Sequence, residues 1–350
     1  MKVSPERDIL KHNTKFNTIA HKRPLMTPWL SFLSPFLSST LVLTLALLPH
    51  SFTPSPPSPL IAPQDTDRRI PALQRDKDGN LWVGSWQGLA HVDPNTGRVL
   101  ARISLTNFII EALAEDKVGR VWVGTYEGLQ RVDPQSNEVT AQNFLLPSNR
   151  VLSLLTDDRG YLWVGTDRGL VLISPDEGLL MKTLEELPGT SANALTLDSE
   201  GQLWVGTLGG LVQVDTAGAL PLNEIDDLPG ESVQDLTWGP DENLWVGTPS
   251  GLLVIDPNTG EVLRSVTPFR ERHVTTIRFD QAQNLWVGTD NGLFKVNFYN
   301  GAIVAEVPGL PSSRVFDISP DTGNKVWVGT SEGLAWVSLT TGEAMTHEIF

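Results

Sequence analysis

The chain writes nearly the same line seven times. LWVGSWQGLAHVDP begins at Leu81, VWVGTYEGLQRVDP at Val121 and LWVGTDRGLVLISP at Leu162, and four more copies begin at Leu203, Leu244, Leu285 and Val326. The tryptophans near the head of each line are Trp82, Trp122, Trp163, Trp204, Trp245, Trp286 and Trp327, spaced by 40 residues once and by 41 thereafter. A unit of that length cannot bury its apolar faces alone, so its copies must pack on one another.

Each copy reads as four short strands. In the second they are IIEALAED (109–116), VWVGT (121–125), GLQRVD (128–133) and EVTAQNF (138–144), joined by KVGR, Tyr126-Glu127 and PQSN. Apolar and β-branched runs bounded by Gly, Asn, Asp and Pro are strands with turns, and no helical periodicity interrupts them. The second strand does not alternate: Leu, Trp and Val stand in a row, so both of its faces are covered. A blade inside a ring has a neighbour on each side and meets that condition. The chain is therefore expected to be all-β, a seven-bladed β-propeller of four-stranded blades over residues 66–350.

Details follow from the same alignment. The Gly two residues after each Trp leaves room for a large side chain of the neighbour. The Gly six residues after it (Gly88 through Gly333) needs φ > 0 in a tight hairpin. Leu73, Leu113, Leu154, Leu195, Leu236, Ile277 and Ile318, nine residues before each Trp, should line the inner core. A tryptophan present in every blade serves what every blade shares, which is packing. Seven whole blades fit the repeat, so blade one closes on blade seven by side-chain packing. The alternative, an open solenoid, would expose two apolar ends.

The first 65 residues are of another kind. WLSFLSPFLSSTLVLTLALL (29–48) has 20 residues and no charge, about the ~20 needed to cross a bilayer as a helix. Lys15, Lys22 and Arg23 precede it and no Lys or Arg follows until Arg68, which puts 1–28 in the cytoplasm as a basic tail. Residues 29–48 are read as a transmembrane anchor or uncleaved signal, and 49–65 as a Pro-rich linker. A cleaved signal peptide is the competing reading and would make the propeller secreted. Residues 65–350 hold 20 Lys and Arg against 39 Asp and Glu, and the whole chain carries −15. An acidic domain repels phosphate backbones, so nucleic acid is not an expected partner. There is no cysteine, which removes disulfides and thiolate metal sites.

The lines DKDGNLWVGSWQGLAHVDP and SPDTGNKVWVGTSEGLAWVSL resemble the two-component regulator propeller repeat, and the likeness runs over residues ~66–350. Such repeats are common in the extracytoplasmic sensor halves of hybrid histidine kinases, which usually carry about twice as many repeats, a small β-sandwich, a membrane helix and a kinase. The resemblance implies a propeller on the periplasmic or outer side of a membrane. Any output would then come from a partner or from the 28-residue tail. The repeat style is also similar to that of a seven-bladed lyase that inactivates streptogramin antibiotics, whose chemistry relies on His and Glu on one face; here His273 is the only histidine in a comparable place.

Chemistry is sparse. DKDGN (76–80) lacks the third acidic position and the distant Glu of a calcium loop, and DSEGQ (198–202) and DQAQN (280–284) read as plain turns. His91, His273 and His347 form no pair at metal-ligand spacing. No nucleophile elbow, HExxH or phosphate loop is present. No catalytic residue, metal or cofactor is assigned.

Positions that differ between blades are more informative. Loops joining strands two and three, and loops joining successive blades, share one face of such a ring. The first set includes Trp86, Tyr126, Glu127, Asp167, Arg168 and Asp290; the second ends at Arg69, Arg150, His273 and Arg314, thirteen residues before a Trp. These ten residues are the candidate site. Guanidinium forks beside Trp86 and Tyr126 suit a small anionic or sugar-like ligand, or an acidic loop of a protein partner such as a sensor kinase. The expected function is non-catalytic binding outside the cytoplasm, as ligand sensor or co-receptor. A scaffold in an envelope complex and a propeller lyase or carbohydrate-active enzyme remain as alternatives. A broad apolar patch would favour the scaffold, and paired carboxylates of raised pKa beside the channel would favour the enzyme.

Overall fold

The structure, a computed structural model, describes residues 67–105, 109–143, 146–176, 178–230 and 232–349. The expected tail, anchor and linker of residues 1–65 lie outside them. Among the described residues no helix is long and apolar enough to cross a membrane.

Seven four-stranded antiparallel sheets follow one another along the chain, each with its strands in sequence order from the innermost outward. In blade two the strands are Ile110–Glu115, Val121–Thr125, Gly128–Asp133 and Glu138–Asn143, within two residues of the sequence reading. Among the described residues no strand is exchanged between the first blade and the last.

The LWVGT strand is buried along its whole length in every blade that has five such residues. Its apolar residues feed seven separate clusters, each built from two adjacent blades. One joins Ile70, Leu73 and Val83 of blade one to Trp327, Leu334 and Ile349 of blade seven. The core is therefore seven equivalent interfaces, and the seventh closes the ring.

The room beside the WVG glycine is filled as expected, though by shape more than by size. A Cβ on Gly84 would meet Ile110 Cγ2 at 2.5 Å, one on Gly124 would meet Val151 Cγ1 at 2.5 Å, and one on Gly206 would meet Val233 Cγ1 at 2.4 Å. Each intruder comes from the next blade, twelve residues before its own Trp, and β-branched side chains fit because their bulk sits close to the backbone. Blade three departs: Gly165 faces the Ala192 carbonyl and Ser153 Oγ. Across the seam Gly329 faces the Ile70 carbonyl first and Ile70 Cγ2 at 3.1 Å, and the Ile70 amide donates to the Thr330 carbonyl at 3.0 Å. The hairpin glycines take φ between 123° and 153° from Gly88 to Gly333. Most other residues cannot hold that backbone without strain.

The fourth letter of WVGT has its own job. Thr125 Oγ1 donates to the Gly128 carbonyl at 3.0 Å and accepts the Glu127 amide at 3.1 Å, and Thr166 does the same with Gly169 and Arg168. The loop-tip pairs Tyr126-Glu127 and Asp167-Arg168 are thereby presented in one fixed conformation on one face.

Candidate functional site

The innermost strands surround a central channel. A cavity of about 240 Å³ in it is lined by Pro71, Glu111, Leu152, Asn193, Gln234, Thr275 and Phe316, each eleven residues before its Trp, and by the residues that follow them. Leu73, Leu113, Leu154 and Leu195 line it too, whereas Leu236, Ile277 and Ile318 at the same repeat position are buried in the clusters between blades.

The ten predicted residues separate into three groups. Arg69, Trp86, Tyr126 and Arg150 come together over blades one to three. The Arg69 guanidinium forks onto Asp67, with Nε–Oδ1 at 2.9 Å, and Trp86 Nε1 donates to the Asp67 carbonyl. Arg150 lies over the Tyr126 ring at 4.9 Å; its guanidinium has no carboxylate partner among the described residues. A second group spans blades six and seven. His273 Nδ1 is 2.7 Å from Asp290 Oδ2, Arg314 Nε is 3.1 Å from Asp290 Oδ1, and Arg314 lies 5.3 Å over Phe316. Glu127, Asp167 and Arg168 share the face, but their side chains make no hydrogen bond, ion pair or ring contact with either group.

Between the first group and the channel stands Glu111, which the sequence reading did not select. Burial raises its pKa, against the pull of a hydrogen bond from Tyr126 and of the Arg69 and Arg150 charges. Its sequence signal was the variability of its repeat position, where seven blades carry seven different residues.

Deeper in the channel lies a second unpredicted feature. Arg278 reaches from blade six to carboxylates of both neighbours, with Nη1 2.5 Å from Asp235 Oδ2 and Nη2 3.3 Å from Asp317 Oδ1. Each aspartate also accepts a backbone amide from the following blade: Ile277 on Asp235 and Leu73 on Asp317, both at 2.8 Å. Asp317 thus ties the closing seam. Burial pushes its carboxyl up to about 6, against the attraction of Arg278 and the amides of Leu73 and Ile318. The two acids are held apart by a shared guanidinium and engaged by neighbouring backbone, so they do not form a free acid–base pair. Their repeat position holds Ala72, Ala112, Ser153, Ala194 and Thr276 in the other blades.

The far face is structural. Asp157, Asp198 and Asp280 each accept the indole N–H of their blade's Trp at 3.0–3.1 Å. DKDGN is such a turn, in which Asp76 takes the Asn80 amide and His91. His91 stacks flat on Trp82 at 4.0 Å. Among the described residues no three His, Cys, Asp or Glu are placed to hold a metal.

The fold is a closed seven-bladed propeller around a central channel. Residues 65–87, 104–127, 145–168 and 186–209 match the model of the two component regulator propeller, one stretch in each of blades one to four. Those four stretches carry the two component regulator propeller repeat. Among solved structures it is similar to the extracellular domains of two putative hybrid two component systems of B. thetaiotaomicron. Identities are 20% and 18%, TM-scores 0.67 and 0.62, covering 77% and 78% of this chain. It spans 38% and 39% of those chains. It is also similar to virginiamycin B lyase from Staphylococcus aureus, in a catalytically inactive variant with quinupristin, at 16% identity and TM-score 0.66, over 78% of this chain and 96% of that one. At these identities the likeness is one of fold. No curated protein matches the sequence.

Proposed function

We propose that this protein is a non-catalytic binding module of the sensor type, displayed outside the cytoplasm behind the segment 29–48 and acting with a separate signalling partner. The observation that carries the reading is that two clusters of residues unlike the repeat each reach a residue of the channel wall. Glu111 and Phe316 line one cavity; Tyr126, Arg69 and Arg150 act on the first, and Arg314, paired with Asp290 beside His273, lies over the second. Function in a ring of near-identical wedges has to reside where the wedges differ. The sensor context is supported by the matched repeat and by the two extracellular relatives. Arg150 supplies the anchor for a carboxylate-bearing or sugar-like group or an acidic loop, because its fork is open and its plane is already ordered on Tyr126.

The test is crosslinking and capture of the full-length protein in its native membrane, wild type beside the Arg150→Ala, His273→Ala, Arg314→Ala triple variant. A protein captured by wild type and lost in the variant supports the reading. Identical capture by both forms removes the rim from it.

A second reading, the interaction scaffold, is favoured by one observation. Leu179, Leu180 and Met181 on the outer edge of blade three, and Leu220 and Leu222 on that of blade four, are exposed large apolar residues. Lys182 Nζ joins the two edges by donating to the Gly218 carbonyl at 3.0 Å. A Leu180→Glu, Leu222→Glu double variant would abolish capture under this reading and leave it unchanged under the first.

A further inference from the structure

The channel's polar groups have a direction. Asn193 Nδ2 donates to the Val233 carbonyl at 2.9 Å, Gln234 Nε2 donates to Ser232 Oγ at 2.9 Å, and the Thr275 hydroxyl donates to the Val315 carbonyl at 2.7 Å. One N–H of each amide and the Thr275 hydroxyl are thus held by the protein, those of Asn193 and Thr275 by the next blade and that of Gln234 within its own. The amide oxygens of Asn193 and Gln234 accept nothing from the described residues, although both residues line the cavity. An amide that fixes its nitrogen on the protein leaves its oxygen for whatever enters.

Charge points the same way. Glu111, Asp235 and Asp317 line the cavity, and Arg278 is the one basic residue among the described residues that does so. That guanidinium is committed to Asp235, Asp317 and the Ile277 carbonyl. Thr276, between the two aspartates in the ring, is 2% exposed and lines the same cavity, and its Oγ1 has no hydrogen-bond partner among the described residues. Its methyl is the branch turned toward Gly288. A buried hydroxyl without a partner costs free energy unless a ligand or water supplies one.

We infer that the channel beneath the rim is a binding site for a small protonated amine, held by Glu111 and the oxygens of Asn193, Gln234 and Thr276 above the Asp235–Arg278–Asp317 floor. The inference rests on the proposed reading of the protein as a ligand-binding module and adds, beneath the rim that Arg150 anchors, a second site of different chemistry. An ammonium group has three donors and no acceptor, which matches a chamber offering acceptors and a net negative charge. At about 240 Å³ the space is smaller than the ~300–1,000 Å³ of pockets for drug-sized ligands, so the amine is small.

The experiment is calorimetric titration of the full-length protein in detergent with three probes of similar length: butane-1,4-diamine, succinate and erythritol. The expected result is binding of the diamine alone, weakened at least tenfold in Glu111→Gln and in Thr276→Val. Neither side chain bonds to another blade, so the thermal midpoints of these variants should stay near wild type and report on binding rather than folding. Gly79→Ala, in a turn on the far face, should leave diamine affinity within about twofold. Binding of succinate without the diamine overturns the amine site and leaves the rim reading in place. Equal binding of erythritol and the diamine overturns the role of charge. No binding of any probe overturns the inference, while the rim reading still stands or falls on its own crosslinking result.

Discussion

A tryptophan in this chain is a polar residue as well as an apolar one. Trp163, Trp204 and Trp286 are at most 3% exposed, and each places its indole N–H on an aspartate six residues earlier. That aspartate also orders its own turn: Asp280 accepts the Asn284 amide at 2.7 Å. Replacing Asp280 with Ala strands a buried donor and should cost about 1–3 kcal/mol by denaturant titration. Trp245→Ala removes the ring as well and should cost about 3–5 kcal/mol. A cost below about 1 kcal/mol for Trp245→Ala would show that the blade interfaces are not the core. The Trp period was plain in the sequence, and so was the Asp before it. What the sequence did not disclose is the residue that covers each ring. His91 stacks on Trp82, Arg131 lies 5.3 Å over Trp122, and Lys295 lies 5.5 Å over Trp286. These share a repeat position, but their chemistry differs so much that the pattern is visible only once the strands are paired.

The inner pair of strands in each blade is where residue chemistry becomes architecture. Its glycine is required by the next blade. Gly124→Ala would put a methyl 2.5 Å from Val151 Cγ1 and 3.1 Å from its Cβ, both on a buried and stiff side chain. The expected cost is about 1–3 kcal/mol, and Val151→Ala should restore part of it in the double variant. A control lies at Gly79, which has φ +87° and open space where a methyl would stand. Gly79→Ala should cost only its backbone strain, about 1 kcal/mol, with no rescue from any neighbour. If both variants lose the same stability, interdigitation between blades is not what requires the glycine.

Closing the ring makes the seam a property of the whole molecule. Ile70 and Asp317 hold it, one by packing against Gly329 and the other by accepting the Leu73 amide. Ile70→Ala should cost about 2–5 kcal/mol and should broaden unfolding, because blades one and seven lose their mutual cover. The carboxyls add a pH dependence. Asp317 is raised to about 6 and Glu115, on the far face, to about 7, both chiefly by burial. A carboxyl whose pKa is higher folded than unfolded binds more protons in the folded state. Its contribution to stability is full below the unfolded pKa and is lost as pH rises through the folded value. Thermal midpoints should therefore rise as pH falls from about 7.5 toward 5. Relief of repulsion in a chain of charge −15 acts in the same direction, so the informative quantity is a difference: Asp317→Asn should show a shallower rise than wild type. Parallel curves would mean that Asp317 titrates in the ordinary carboxylate range.

Blade number, strand order and the hairpin glycines were legible in the sequence, because each recurs with the repeat and a period reports on contacts between copies; the seam's packing was legible too, but not the Ile70 and Leu73 amide hydrogen bonds that join it. The rim residues were legible as departures from that period, and the structure gathers seven of the ten into two groups. Asp235, Arg278 and Asp317 were not legible, and Glu111 showed only as one of seven different residues at a variable position. Each sits on an innermost strand and faces the wall that the other blades complete, so nothing in its local sequence shows what it meets. The direction of an amide, the sharing of one guanidinium between two aspartates and the depth that raises a carboxyl's pKa are set by the closed ring. The wedge, and how many wedges there are, can be read from the chain alone, because both are written into a period. What the channel offers cannot, since its wall takes one strand from each blade and exists only after the last blade meets the first.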